Sequence, residues 1–101
     1  VSAMTKNLAD ELGPSGINVT VVHPGLTRTE ATAGVIARRA AITDQSESEV
    51  EQQMADGNSA RTIIDSSDIA YVVAMLASPL SIAINGDGIA AGGGVGTAIY
   101  Y

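Results

Sequence analysis

The sequence has no cysteine, tryptophan or phenylalanine, a single histidine, and only 3% aromatic residues in 101 positions. Without thiols, disulfides, thiolate catalysis and Cys/His zinc sites are excluded. Basic residues are scarce as well: five Lys and Arg stand against eleven Asp and Glu, a net charge of −6. That balance leaves no basic stripe to displace counterions from nucleic-acid phosphates, and it is repelled by an anionic membrane surface. No apolar run approaches the roughly 20 residues of a membrane span. The opening Val1-Ser2-Ala3-Met4-Thr5-Lys6 has no apolar region of a signal peptide. The expectation is a chain of the reduced, cytoplasmic compartment with no nucleic-acid and no membrane partner. Hydrophobic residues at 46% are too many for a disordered acidic tail, and the length allows one domain at most. The lack of large aromatic anchors, a Val at the first position and a helical pattern already running there are the marks of a piece of a larger fold.

What is present has a clear order. Val1, Met4, Leu8 and Leu12 recur at spacings of three and four, the apolar stripe of an amphipathic helix. Gly13-Pro14 stops it, with Gly13 expected in the left-handed conformation of a helix end. Ile17-Asn18-Val19-Thr20-Val21-Val22 is short and β-branched, hence a strand, and its near-continuous apolar character suits cover on both faces. His23-Pro24-Gly25 is expected to end it. Residues 26–65 are less decided: Ala31–Ala41 is rich in helix formers, Ser46-Glu47-Ser48-Glu49 reads as a capping box for a helix toward Met54, and Asp56-Gly57-Asn58-Ser59 reads as a loop. Ser66 or Ser67 can cap a further helix with Asp68 in its first turn and the stripe Ile69, Val72, Val73, Leu76, stopped by Ser78-Pro79. Asn85-Gly86-Asp87 is a turn, Gly88–Ala91 a strand of small residues, and Gly92-Gly93-Gly94 a close backbone approach or a loose tail. A crossover this long makes the two strands parallel, a βαβ-type α/β unit.

Most motifs that promise chemistry fail on inspection. Gly86 and Gly88 are followed by Ala91 where a dinucleotide fingerprint needs a third Gly, and Gly92 and Gly94 by Thr97 with no helix to follow. His23, the lone imidazole, has no Ser nucleophile and Asp partner near it in sequence and reads as structural. Asn18-Val19-Thr20 matches a glycosylation acceptor but falls in the expected buried strand, a coincidence of composition. Glu47, Glu49 and Glu51 read as a solvated helix face rather than a metal site.

Three blocks in order carry more. Thr5-Lys6-Asn7-Leu8-Ala9-Asp10-Glu11-Leu12-Gly13-Pro14, then Gly16-Ile17-Asn18-Val19, then Pro24-Gly25-Leu26-Thr27-Arg28-Thr29 closely resemble the short-chain dehydrogenase/reductase family. Ser67-Asp68-Ile69-Ala70, Leu76-Ala77-Ser78, Asn85-Gly86 and Gly93-Gly94 extend the likeness over nearly the whole chain. The resemblance implies the C-terminal segment of a doubly wound parallel, Rossmann-like sheet, about two strands with flanking helices. The whole of 1–101 would be one fragment of an NAD(P)-binding domain, with 30–64 as its substrate-loop excursion. The family's nucleotide fingerprint and catalytic Ser lie in its N-terminal half, and its Tyr-x-x-x-Lys would fall before Val1. Ser2 stands four residues ahead of Lys6 and Met75 four beyond Tyr71, so no such pair exists here and no residue is assigned as catalytic or metal-binding. Lys6 reads as a surface lysine.

The loop carries over by position. The resemblance implies that Pro24 and Gly25 turn the backbone toward the cofactor, that the backbone amide of Thr27 meets the nicotinamide carboxamide, and that the Thr29 hydroxyl reaches the carboxamide or pyrophosphate. Family members usually have Val or Ile where Thr27 stands. A purely structural role for Thr27 and Thr29, capping the following helix with Glu30, is compatible with that contact. Function follows as an expectation: part of an oxidoreductase interconverting alcohols and ketones by hydride transfer, with NAD or NADP and a small-molecule substrate in the parent. The chain alone is expected to be inactive and to bind cofactor weakly or not at all. The alternative is a non-catalytic α/β association module pairing with itself or with a separate N-terminal half. An acidic interaction domain unrelated to dehydrogenases is a third possibility. A homo-oligomer or a complex with the missing half is the expected state.

Overall fold

The computed structural model describes residues 1–94. Among them are, in chain order, α1 (Ser2–Leu12), β1 (Val21–Pro24), β2 (Thr27–Arg28), α2 (Thr32–Thr43), α3 (Glu47–Ala55), β3 (Ile64–Asp65), α4 (Ser66–Ala77) and β4 (Gly88–Ala91). Short 3-10 turns cover Gly13–Ser15 and Pro79–Ser81. The contacts fall into two compact units: Val1–Pro24 with Ser67–Ala91, and Gly25–Ser66 with 92–94. Each holds one parallel two-stranded sheet, β1 with β4 in the first and β2 with β3 in the second.

In the first unit the parallel pairing of the two expected strands holds, with Val21 opposite Gly88 and Pro24 opposite Ala91. The first strand, however, begins at Val21 rather than Ile17 and runs through His23 and Pro24 instead of stopping before them. The reason lies in the polar side chains ahead of it. Asn18 Nδ2 donates to the carbonyls of Ile82 and Ile84 at 3.3 and 3.4 Å, and the Thr20 hydroxyl donates to Ile84 O at 3.4 Å. Asn85 Oδ1 accepts from Val19 N at 2.9 Å. These side chains, with a single backbone bond from Gly86 N to Val19 O at 2.8 Å, hold this stretch beside its neighbour in place of a regular ladder. Pro24 is tolerated as the last residue of a strand with one neighbour. Asn18 is exposed and precedes the strand, so its expected burial is corrected, and Val21 and Val22 are covered for the most part without being fully buried.

The helix boundaries follow their signals with two corrections. Gly13 is right-handed (φ −55°) and opens a 3-10 turn, and the left-handed residue is Gly16 at φ 79°. Pro14 explains this: it removes a donor yet fits the first turn of a 3-10 helix, so the chain tightens before it reverses. Ser66 and Ser67 lie inside α4, because β3 leads into the helix with no residue between. The apolar stripes are also not where burial occurs. In α1 the buried residues are Thr5 and Ala9, while Val1 is 77% and Met4 59% exposed. No residue of α4 is fully buried.

The second unit builds a small core of Ile36 and Ala40 from α2, Val50 from α3, and the half-covered Met54. The expected capping box is formed in half: the Ser46 hydroxyl accepts from Glu49 N at 3.1 Å, and the Glu49 carboxylate accepts from that hydroxyl at 3.1 Å rather than from the Ser46 amide. Asp44, at φ 54°, ends α2 in the left-handed conformation, where a short polar side chain is tolerated. Among the described residues no helix is long and apolar enough to cross a membrane.

Candidate functional site

The expected loop starts at the last residue of β1. Pro24 belongs to the first unit's sheet, and Gly25, Thr27 and Thr29 belong to the second unit. There the half-buried Gly25 and Thr27 are joined, the Thr27 hydroxyl donating to Gly25 O at 3.1 Å. Thr27 also opens β2 and pairs with Ile64. Thr29 is tied forward instead. Its backbone N–H donates to Thr32 Oγ1 at 2.8 Å, and its own hydroxyl accepts from Ala31 N at 3.3 Å and lies 3.5 Å from Thr32 Oγ1. Thr29 therefore anchors the entry to α2, whereas Thr27 and Glu30 take no part in capping.

The Thr27 hydroxyl has spent its one proton on Gly25, so that side chain has only lone pairs to offer. The exposed Thr29 hydroxyl accepts one bond and keeps capacity for another partner. No side chain of Gly25, Leu26, Thr27 or Thr29 carries a charge.

Other features of this unit had no sequence signal that could be read ahead. Arg28, between the two threonines, pairs through its terminal nitrogen with Glu51 of α3 and through Nε with Asp65 of β3 at 3.6 Å. Isolated charges in a sequence do not announce their partners. Asn58, read only as a loop residue, is buried and braces its turn, Nδ2 donating to Thr62 O at 2.7 Å. The glycine cluster resolves toward close approach. Ala60 N donates to Gly93 O at 2.9 Å, and Ser59 N to Gly94 O at 2.7 Å. A Cβ at Gly94 would lie 2.8 Å from Ser59 Cβ at φ +86°. The part of the tail beyond Gly94, Thr97 included, lies outside the described residues.

In the first unit Lys6 is a surface residue in a structural bond, donating to Gly86 O at 3.1 Å and facing Asp87 at 3.7 Å. His23 is exposed, its ring lying along Gly88, where an added Cβ would come within 3.0 Å of Nε2. Among the described residues no three His, Asp or Glu side chains converge on a metal-sized site.

Comparison with known proteins adds the family. The family model described as enoyl-(acyl carrier protein) reductase matches residues 1–96. No curated protein matches the chain. Among solved structures it is similar to a short-chain dehydrogenase family protein from Francisella tularensis subsp. tularensis SCHU S4, with 29% identity and TM-score 0.78 over 91% of this chain and 38% of that one. It is similar to an NADPH-dependent reductase involved in bacilysin biosynthesis, with 26% identity and TM-score 0.79 over 97% of this chain and 37% of that one. A 4-hydroxyisoleucine dehydrogenase complexed with NADH gives 26% identity and TM-score 0.72 over 92% and 35%. The chain thus spans a little over a third of the length of these structures. A matching model along almost its entire length and the parallel α/β fold together place this chain in the short-chain dehydrogenase/reductase family.

Proposed function

We propose that this chain is the C-terminal part of an NAD(P)-dependent oxidoreductase that interconverts alcohols and ketones, and that it contributes the nicotinamide end of the cofactor site. Pro24, Gly25, Thr27 and Thr29 are the residues that would hold the carboxamide. The observation that carries this reading is the state of the two hydroxyls. Thr27 is locked onto Gly25 O, while Thr29 keeps spare hydrogen-bonding capacity on a loop fixed at both ends. The nicotinamide, when bound, supplies the hydride acceptor or donor. Its class is supported by similar proteins that use NADPH in one case and NADH in another. Segment 30–64 is the substrate excursion in this reading, with a small molecule as substrate.

The chain itself has no Tyr-x-x-x-Lys pair for proton transfer. We expect the purified 101-residue chain to show no turnover of a nicotinamide cofactor with any alcohol or ketone. Turnover above that of a Thr29→Ala control would overturn the assignment of the acid/base to residues outside this chain.

A second reading, association without catalysis, is favoured by one observation. The first unit exposes Tyr71 at 76%, Leu80 at 94% and Ile82 at 77%, and Ile82 lines a groove of about 640 Å³ with Asn18, Leu76 and Pro79. Sedimentation velocity decides whether that face is covered by a second chain.

A further inference from the structure

We infer that Arg28 is a positioning residue for the proposed cofactor loop, a clasp that makes the loop and the helical excursion order as one body. The inference rests on the nicotinamide reading of Thr27 and Thr29 for its function but not for its mechanics.

The mechanics form a closed circuit within the second unit. Thr29 N is bonded to Thr32 Oγ1 at the start of α2. α2 packs through Ile36 and Ala40 on Val50 of α3. The next residue, Glu51, carries the carboxylate that pairs with Arg28, and Arg28 is the residue before Thr29. The circuit therefore leaves the loop at Thr29 and returns to it at Arg28. A second strut joins it: Arg28 lies opposite Asp65 in the β2–β3 pair, and its Nε faces that carboxylate at 3.6 Å.

The chemistry needs arginine. One guanidinium presents two nitrogens in fixed directions to two carboxylates on different elements, which a lysine ammonium, a single point charge on a flexible stem, does poorly. The surroundings make the clasp consequential. β2 and β3 are two residues each, so their ladder holds the loop with very few backbone bonds. A short exposed pair would ordinarily count for little. Here the three side chains are 40%, 44% and 59% exposed and share one cation, and what they set is the conformation of a loop rather than the stability of a domain. The chain has only five basic residues, and one of them is spent at this point, between the two threonines.

The test is amide hydrogen exchange by NMR on the 101-residue chain, followed by titration with NADPH. Arg28→Gln is expected to speed exchange of the Thr29, Ala31 and Thr32 amides by about threefold or more, while the α2–α3 core amides near Ile36 and Val50 change much less. Glu51→Gln and Asp65→Asn should each give a smaller rise, Arg28→Lys a partial rescue, and 1 M NaCl a shift in the direction of Arg28→Gln. Lys6→Gln, which breaks the ion pair of the other unit, should leave these amides unchanged. If Arg28→Gln fails to fold, the exchanged pair Arg28→Glu with Glu51→Arg, made together with Asp65→Asn to remove the like charge opposite, should restore part of the protection. Unchanged exchange in Arg28→Gln, or equal acceleration of every amide in the unit, overturns the clasp. In the second arm millimolar NADPH should move the Thr27 and Thr29 amide resonances of the wild-type chain, and the movement should shrink in Arg28→Gln and return in part in Arg28→Lys. A wild-type chain whose Thr27 and Thr29 resonances ignore NADPH removes the cofactor reading, with exchange still deciding the clasp. A response equal in Arg28→Gln and wild type overturns the positioning role.

Discussion

Val50 is the largest side chain that the described residues bury completely, and it sits at the centre of a core with few other members. Neighbours that few cannot close over a lost pair of methyls. Val50→Ala should destabilise the second unit by about 2 kcal/mol, toward the lower end for large-to-small core changes, measured by urea denaturation. Ser46, whose hydroxyl bonds both the backbone and the carboxylate of Glu49, is worth about 1 kcal/mol by the same measurement when changed to Ala. Gly94 is set by a different constraint. Its φ of +86° and the 2.8 Å approach of a built Cβ to Ser59 make Gly94→Ala a strained substitution, expected to cost about 1–3 kcal/mol. Its clearest sign would be faster exchange at the Ser59 amide, which donates to Gly94 O.

Among elements, the start of α3 was readable because its cap is a local chemical event: the hydroxyl, the amide and the carboxylate that make it all lie within four positions, whereas its end at Ala55 lies one residue past the expected Met54. β4 was readable for a similar reason, its small residues falling between a turn and a glycine run. β1 was readable in kind but displaced, because the hydrogen bonds that decide where a ladder starts come from Ile82, Ile84 and Asn85, more than sixty positions away. The stripes on α1 and α4 were readable as periodicity, yet most of their large side chains are half-covered or exposed. β1 pairs with β4 along one edge of a two-stranded sheet. An apolar strand with an open edge, next to helices showing Met4, Tyr71 and Met75, is the kind of surface on which a further strand or helix can pack. We expect self-association at micromolar concentration by sedimentation velocity, weakened when Tyr71 and Leu80 are both changed to Lys. A compact monomer with cooperative unfolding would sink this expectation.

For the whole molecule, the chain matches its relatives over a little more than a third of their length. The loop would meet only one end of a dinucleotide, so its affinity is limited by the contacts one ring can make. Calorimetric titration with NADH and NADPH should give affinity weaker than micromolar for both. Micromolar binding would mean that the chain holds more of the cofactor than the carboxamide.

Family and fold class were determined by the sequence alone, because both are written in ordered local signals: helix stops, a β-branched run, Pro-Gly followed by threonines, and a closing glycine pair at fixed spacing. Pro24, Gly25, Thr27 and Thr29 were named as a candidate loop by their order, and their cofactor role is the proposal made above. What only the tertiary structure decided is which partner each polar group takes. That Thr27 bonds back to Gly25 while Thr29 bonds forward to Thr32, that Arg28 finds Glu51 and Asp65, and that Thr5 and Ala9 are buried in place of Val1 and Met4 all depend on which segments lie side by side. Hydrogen bonds and ion pairs act over a few ångströms, and proximity at that range is set by packing between segments far apart in the chain.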